Sequence, residues 1–208
     1  MENKINFHKQ LEKQINGWSE SGWVPTLLLH SCCAPCSSYC LEYLSRYLNI
    51  TVFYYNPNIT DKSEYELRVR EQERLINELP ALHPVRFIEG RYEPQCFFEI
   101  AKGLEKAPEG GERCFKCYEL RLRESAILAK QMGFDFFTTT LSISPLKNAA
   151  VLNEIGKRLS EEYGVGYLFS DFKKNNGYKR SIELSAEYGL YRQNYCGCAF
   201  SRNNSEKK

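Results

Sequence analysis

Nine cysteines in 208 residues are unevenly placed, and seven of them stand in three short groups: Cys32-Cys33-x-x-Cys36, Cys114-x-x-Cys117 and Cys196-Gly197-Cys198. A thiolate is both the ligand form of cysteine for soft metals and its redox-active form, so grouped thiols can hold a metal or pass electrons. Cys32 and Cys33 follow an apolar run. Adjacent residues on a strand face opposite ways, so presenting both sulfurs to one centre requires a turn. Pro35 suits the first turn of a helix, whose free N–H groups and dipole favour thiolates nearby. Cys114 and Cys117 follow a glycine-rich stretch and open a helix, a spacing that serves zinc, iron-sulfur clusters and dithiol sites alike.

Cys32, Cys33, Cys114 and Cys117 together supply the four thiolates that a [4Fe-4S] cluster requires. A structural zinc could use the same four, but their place at the mouth of a sheet, outside any small independent knuckle, disfavours it. A disulfide across Cys196-Gly197-Cys198 would be strained and easily reduced, as redox-active pairs are. That pair could instead give metal ligands or remain structural thiols. Cys40, a turn beyond Cys36, and Cys96, beside Phe97 and Phe98, read as packing.

These groups need elements to position them. Short β-rich runs alternate with longer amphipathic stretches, the pattern of an α/β fold with a parallel sheet. Strands are expected at Thr26–Ser31, Ile50–Tyr55, Val85–Ile88, Phe134–Thr140 and Gly166–Asp171. Helices are expected at Glu2–Glu20, Ser37–Tyr47, Ser63–Leu79, Cys117–Met132, Leu146–Tyr163 and Ile182–Tyr188. Ligands of such sheets bind beyond the carboxyl ends of the strands, where the cysteine groups would meet. The chain reads as one α/β domain over 1–208, with a lead helix to about residue 22 and a frayed tail at 203–208. The loop Glu105–Arg113, carrying Pro108, Gly110 and Gly111, reads as functional rather than as a domain boundary.

Polar residues gather at the same expected edge: Tyr55, Asn56 and Asn58 after strand two, Ser144 and Lys147 after strand four, Asp171, Lys173 and Lys174 after strand five. Such groups bind diols, amides or phosphates and also make ordinary turns. Asp171 can be a metal ligand, a general acid or a helix cap. Lys173, Lys174, Lys179 and Arg180, interleaved with Asn175, Asn176 and Tyr178 and joined by Arg192, suit a phosphate backbone with an unpaired base, or a solvated face. Glu66, Arg68, Arg70, Glu71 and Glu73 read as ion-paired helix surface.

Composition narrows the class. Hydrophobic residues at 42% and charged residues at 26% are ordinary for a soluble globular protein. No apolar run approaches the roughly 20 residues of a membrane helix, and the N-terminus lacks an export signal, so a cytoplasmic protein with no membrane partner is expected. In a reducing compartment an odd set of spaced cysteines points to metal or redox chemistry rather than to a disulfide framework. A net charge of +2 neither demands nor excludes a polyanion. No dinucleotide or Walker loop is present, so reducing equivalents would come from an external donor.

The motifs HSCCAPC, YYNPNI, SEYELR, RCFKCYELRL, TTTLSISPLKN, SDFKK and YRQNYCGCAF, in this order from about Leu27 to Ser201, resemble the epoxyqueuosine reductase QueH family. The resemblance implies reduction of the epoxide of epoxyqueuosine at the wobble position (34) of a tRNA with a queuosine-type anticodon, the last step of queuosine biosynthesis. It implies a [4Fe-4S] cluster on Cys32, Cys33, Cys114 and Cys117 and a redox-active disulfide at Cys196 and Cys198. An additional iron is a further implication, with Asp171, Cys36, Cys196 and Cys198 as candidate ligands. The implied fold is a Rossmann-like parallel sheet with flanking helices, similar to that of PP-loop nucleotide enzymes, with the Cys32-Cys33 turn where those enzymes carry a phosphate loop. Rival readings are a thiol-disulfide oxidoreductase and a zinc-stabilised RNA-binding module.

Overall fold

Leu27, Leu28 and Leu29 alternate across the first strand and thereby define the layers of a computed structural model, which describes residues 5–201. Leu27 and Leu29 of β1 (Thr26–His30) pack with α1 (Phe7–Ser21), α2 (Ala34–Leu44), α3 (Lys62–Glu78) and Leu184 of α7 (Gly177–Glu187). Leu28 faces the opposite layer, α5 (Glu112–Met132) and α6 (Ala149–Tyr163). β2 (Asn49–Tyr54), β3 (Val85–Glu89), β4 (Phe136–Thr139) and β5 (Gly166–Tyr167) complete an all-parallel sheet of order β3-β2-β1-β4-β5, compatible with a Rossmann-like fold. The chain moves outward from β1 to β3 and then crosses back to start β4 on the other side of β1. This reversal opens a crevice beyond the carboxyl ends of β1 and β4, the usual ligand position in such sheets.

Side chains decide where several elements end. β4 stops at Thr139, whose hydroxyl accepts from Leu141 N at 3.1 Å and starts a 3-10 turn over Thr140–Ile143. β5 has only two residues; beyond it Asn153 of α6 bonds both the N–H and the carbonyl of Ser170, at 2.9 and 2.8 Å. Asp171 therefore lies in a turn and not at a strand end. α2, α5 and α7 begin earlier than their sequence pattern suggests, so Cys36, Cys114 and Cys117 are all helical. The pattern missed α4 (Pro94–Ala101), which Pro94 opens, as proline commonly does. The lead helix starts at Phe7, capped by Asn6, while the expected frayed tail at 203–208 lies outside the described residues. Among the described residues no helix is long and apolar enough to cross a membrane.

His30 ends β1 fully buried and locks the strand ends together. Its Nε2 lies 3.0 Å from the carbonyl of Tyr55, which can only accept, so Nε2 carries the proton; Nδ1 then accepts from the Thr139 hydroxyl at 2.9 Å. Burial, followed by the nearby charge of Arg121, lowers its pKa to about 3. Between about 6.5 and that value only the unfolded chain binds the proton. The stability held by neutral His30 is therefore complete above about 6.5 and falls with decreasing pH, by about 1.4 kcal/mol per unit. Urea unfolding at about pH 7.5 and about pH 5 should show a loss of ~2 kcal/mol in the wild type that is missing in His30→Gln. Parallel pH profiles would refute this account.

Candidate functional site

Cys32 and Cys33 leave β1 at the crevice. The Cys32 N–H donates to the Thr140 hydroxyl at 3.4 Å, which ties the turn after β1 to the end of β4. Cys33 is the N-cap of α2, and Cys36 lies in its first turn. The three sulfurs lie within 4.8 Å of one another, with Cys32 and Cys33 at 3.8 Å. Beneath them Gln72 Oε1 accepts from the Ser31 hydroxyl at 2.6 Å and from the Ser37 hydroxyl at 2.7 Å, both buried. Three thiols so close share one negative charge. Hydrogen bonds from Cys33 and Cys36 draw the Cys32 thiol well below its ordinary value, with Lys147 and Thr140 assisting against burial. The same coupling pushes Cys33 up to about 12 and Cys36 well above the usual range.

A cavity of about 490 Å³ opens over this turn, lined by Cys32, Cys33, Cys36 and Cys196. A smaller cavity beside it is lined by Cys114, Cys117, Cys196 and Cys198. Glu109, Arg121, Leu146, Lys147 and Cys196 line both, so the cavities adjoin and each of the seven grouped cysteines lines one or the other, while among the described residues only Cys32, Cys33 and Cys36 bring three sulfurs within 4.8 Å of one another. Cys114 Sγ accepts from Gly110 N at 3.3 Å, and burial raises the Cys117 thiol to about 11. All nine cysteines are free in this structure, Cys196 and Cys198 included. A hydrogen bond from Cys198, with Lys147 and Arg121 beyond it, holds the Cys196 thiol well below its usual value against burial, while Cys198 is raised by the same bond.

The Cys196-Gly197-Cys198 segment is strapped down by residues far away in sequence. Asn58 Nδ2 donates to the Cys196 carbonyl at 3.2 Å. Arg68 donates to the carbonyls of Cys196 and Tyr195, both at 3.4 Å, and its guanidinium lies over the Tyr195 ring. Arg68 is thus no surface residue: it is 2% exposed and ion-paired with Glu64 at 2.7 Å. Its helical stripe, Tyr65, Arg68, Val69, Gln72 and Leu75, is the signal that placed it inside. Gly197 adopts φ +102°, and a Cβ there would meet Ile59 Cγ1 at 2.8 Å, so the central residue of the motif must be glycine.

The remaining polar positions separate into two groups. Ser144, Lys147 and Arg192 line the larger cavity. Asn56 and Asn58 position others: Asn56 Nδ2 donates to Ser31 O at 2.8 Å, and its Oδ1 accepts from Arg121 at 3.4 Å. Tyr55 is buried against Phe53, and its carbonyl serves His30. Neither cavity is lined by Asp171, Lys173 or Lys174. Asp171 and Lys173 pair with each other at 2.8 Å, and Lys173 also donates to Ser142 O at 3.1 Å, so their charges are engaged away from the thiols; Lys174 is exposed.

Sequence reading missed Arg121. It is 3% exposed, has no carboxylate partner among the described residues, donates to Cys117 O at 3.1 Å and to Asn56, and lies over the Tyr118 ring. Lys147 likewise has no carboxylate within ion-pair distance among the described residues; burial opposes its charge, but the nearby sulfurs, Cys196 and Cys32 foremost, keep it above its ordinary value. Two buried or half-buried cations without carboxylates need anions nearby, and the sulfurs supply them. This donor set suits a metal held by thiolates.

A family described as "Epoxyqueuosine reductase QueH" matches residues 27–204. The chain is 48% identical to an epoxyqueuosine reductase QueH of Staphylococcus epidermidis over 95% of this chain and 85% of that protein. It is 42% identical to one of Streptococcus pyogenes (95% and 78%) and 38% identical to one of Thermotoga maritima (85% and 90%). With its thiols gathered at the reversal point of the sheet and this match over most of its length, the chain belongs to the epoxyqueuosine reductase QueH family.

Proposed function

We propose that this chain reduces the epoxide of epoxyqueuosine at position 34 of tRNA to the alkene of queuosine, the last step of queuosine biosynthesis, and that its thiols hold a [4Fe-4S] cluster. The observation that carries the reading is the meeting of Cys32, Cys33 and Cys36, sulfurs within 4.8 Å, beside a cavity of about 490 Å³ in a member of this family. That volume suits one extruded nucleoside, and an anticodon loop presents its bases with little unstacking.

Cys32, Cys33, Cys114 and Cys117 would hold the cluster, leaving Cys36 as a thiol for an additional iron. A cluster bound there supplies electrons singly, from an external donor, whereas the epoxide takes two electrons and two protons and releases water. The chain's own groups meet the rest of that demand. Lys147 holds a proton at the cavity wall, and Arg121 adds a second positive charge where oxygen becomes negative. Cys196 and Cys198 form a dithiol whose oxidation to a disulfide releases two electrons and two protons. Ser144 and Arg192 on the cavity wall offer polar contacts to the nucleoside.

Anaerobic reconstitution with iron and sulfide, followed by incubation with epoxyqueuosine-containing tRNA and a strong reductant, tests the reading through mass analysis of the nucleosides. Conversion to queuosine by an iron-loaded protein is the expected result. Zinc in place of iron, or an unchanged nucleoside, would overturn it.

A further inference from the structure

The glycine-containing loop between α4 and α5 has no part in the chemistry above, yet a buried arginine holds its backbone. Arg113, 2% exposed, donates through one Nη1 to the carbonyls of Leu104, Glu105 and Ala107, at 2.9, 2.8 and 2.8 Å. Its guanidinium lies over the Phe200 ring at 4.8 Å. Gly111 N closes a turn on Pro108 O at 3.1 Å, and Gly110 N binds Cys114 Sγ. Gly110 takes φ +82°, which suits glycine and sends the chain from that turn into α5.

What the loop delivers to the cavities is Glu109. Among the described residues it is the one carboxylate lining either cavity, against Arg68, Arg121, Lys147 and Arg192. No described residue forms an ion pair with it. A cation-lined cavity meant only for anions would gain nothing from such a group, since it weakens the local positive field. Its presence at the junction of the nucleoside cavity and the thiols calls for a cationic part of the ligand.

Epoxyqueuosine has one. Its deazaguanine base is joined to the epoxycyclopentane diol by a secondary aminomethyl linkage, an ammonium at neutral pH as alkylamines are. We infer that Glu109 is the specificity-determining residue that pairs with this ammonium and so fixes the nucleoside with its epoxide toward the sulfurs. The inference rests on the proposed activity. Arg113 is a positioning residue that keeps the loop carbonyls, and with them Glu109, in place.

The test measures affinity of the iron-loaded protein for three forms of one tRNA: guanine at position 34, a 7-aminomethyl-deazaguanine lacking the cyclopentane, and the full epoxyqueuosine. Glu109→Gln should weaken binding of both ammonium-bearing tRNAs roughly tenfold and leave the guanine form unchanged. Because Glu109 is exposed, the variant should fold as the wild type does. Equal weakening of all three would reduce Glu109 to a general RNA or structural contact. Loss on the full nucleoside alone would assign it to the diol, and no loss would remove it from recognition; each of these overturns the inference. A wild type that converts no epoxyqueuosine would instead defeat the proposed activity, whatever the affinities of the variant.

Discussion

Cys32→Ser should lose iron binding by at least roughly 100-fold and take turnover to background, whereas Cys40→Ser, four residues beyond the last cysteine of the same motif, should keep both. The serine at position 32 is nearly isosteric and can still receive the bonds that now come from Cys33, Cys36 and Thr140. What it cannot do is ionise near neutral pH or offer soft sulfur to iron. Cys32 is also the member of its triad on which the negative charge settles, so its replacement takes away the sulfur that carries that charge beside Lys147. Cys40 differs in direction, not in chemistry. One turn further along α2 its thiol is fully buried in the core and donates to Cys36 O at 3.4 Å, a bond that a hydroxyl can keep. The cost there should be confined to stability, about 1–2 kcal/mol. Iron content per protein after anaerobic reconstitution, with a urea midpoint for each variant, separates the two. Full iron in the Cys32 variant would remove that residue from the ligand set.

The alternation of Leu27, Leu28 and Leu29 and the repeated strand-helix pattern made the parallel α/β fold legible in advance, because burial on both faces of a strand leaves an unmistakable apolar run. The cysteine groups were legible for a related reason: such spacings have few uses other than metal binding and redox chemistry. Connectivity was not legible. Nothing local announces that β4 returns to the far side of β1, and that crossing is what brings Thr140 against Cys32. Asp171 was misplaced by the same kind of blindness, since the side chain of Asn153, 17 residues upstream of Ser170, replaces the ladder there and ends β5 early. Arg68 looked like a solvated helix charge, as most arginines in such helices are, and Arg121 drew no notice; the burial of both depends on which helix face meets the sheet. The Asn-Pro-Asn segment was noticed for its hydrogen-bonding groups, but those groups hold backbone at Ser31 and Cys196 and leave the cavity to others.

A serine at Cys198 should leave the iron in place and still prevent single turnover. The hydroxyl can donate to Cys196 much as the thiol does, and Lys147 and Arg121 continue to favour the Cys196 thiolate, so the local charge survives. Only the capacity to form a disulfide disappears. Two thiols passing to a disulfide release two electrons and two protons, which equals the demand of the epoxide on its way to an alkene and water. Enzyme reduced in advance, freed of reductant and mixed with substrate tRNA under anaerobic conditions should therefore yield about one queuosine per site in the wild type and almost none in Cys198→Ser. The strapping of this segment makes the comparison fair: Arg68, Asn58 and the Thr60 N–H, which donates to Gly197 O at 3.3 Å, all hold backbone and do not touch the exchanged sulfur. Equal single turnover in the two proteins would leave Cys196 and Cys198 without a redox role and return them to consideration as metal ligands alone. Loss of iron together with activity would place Cys198 in the ligand set, which its position in a small cluster with Cys117, Phe97 and Ala101 makes geometrically open.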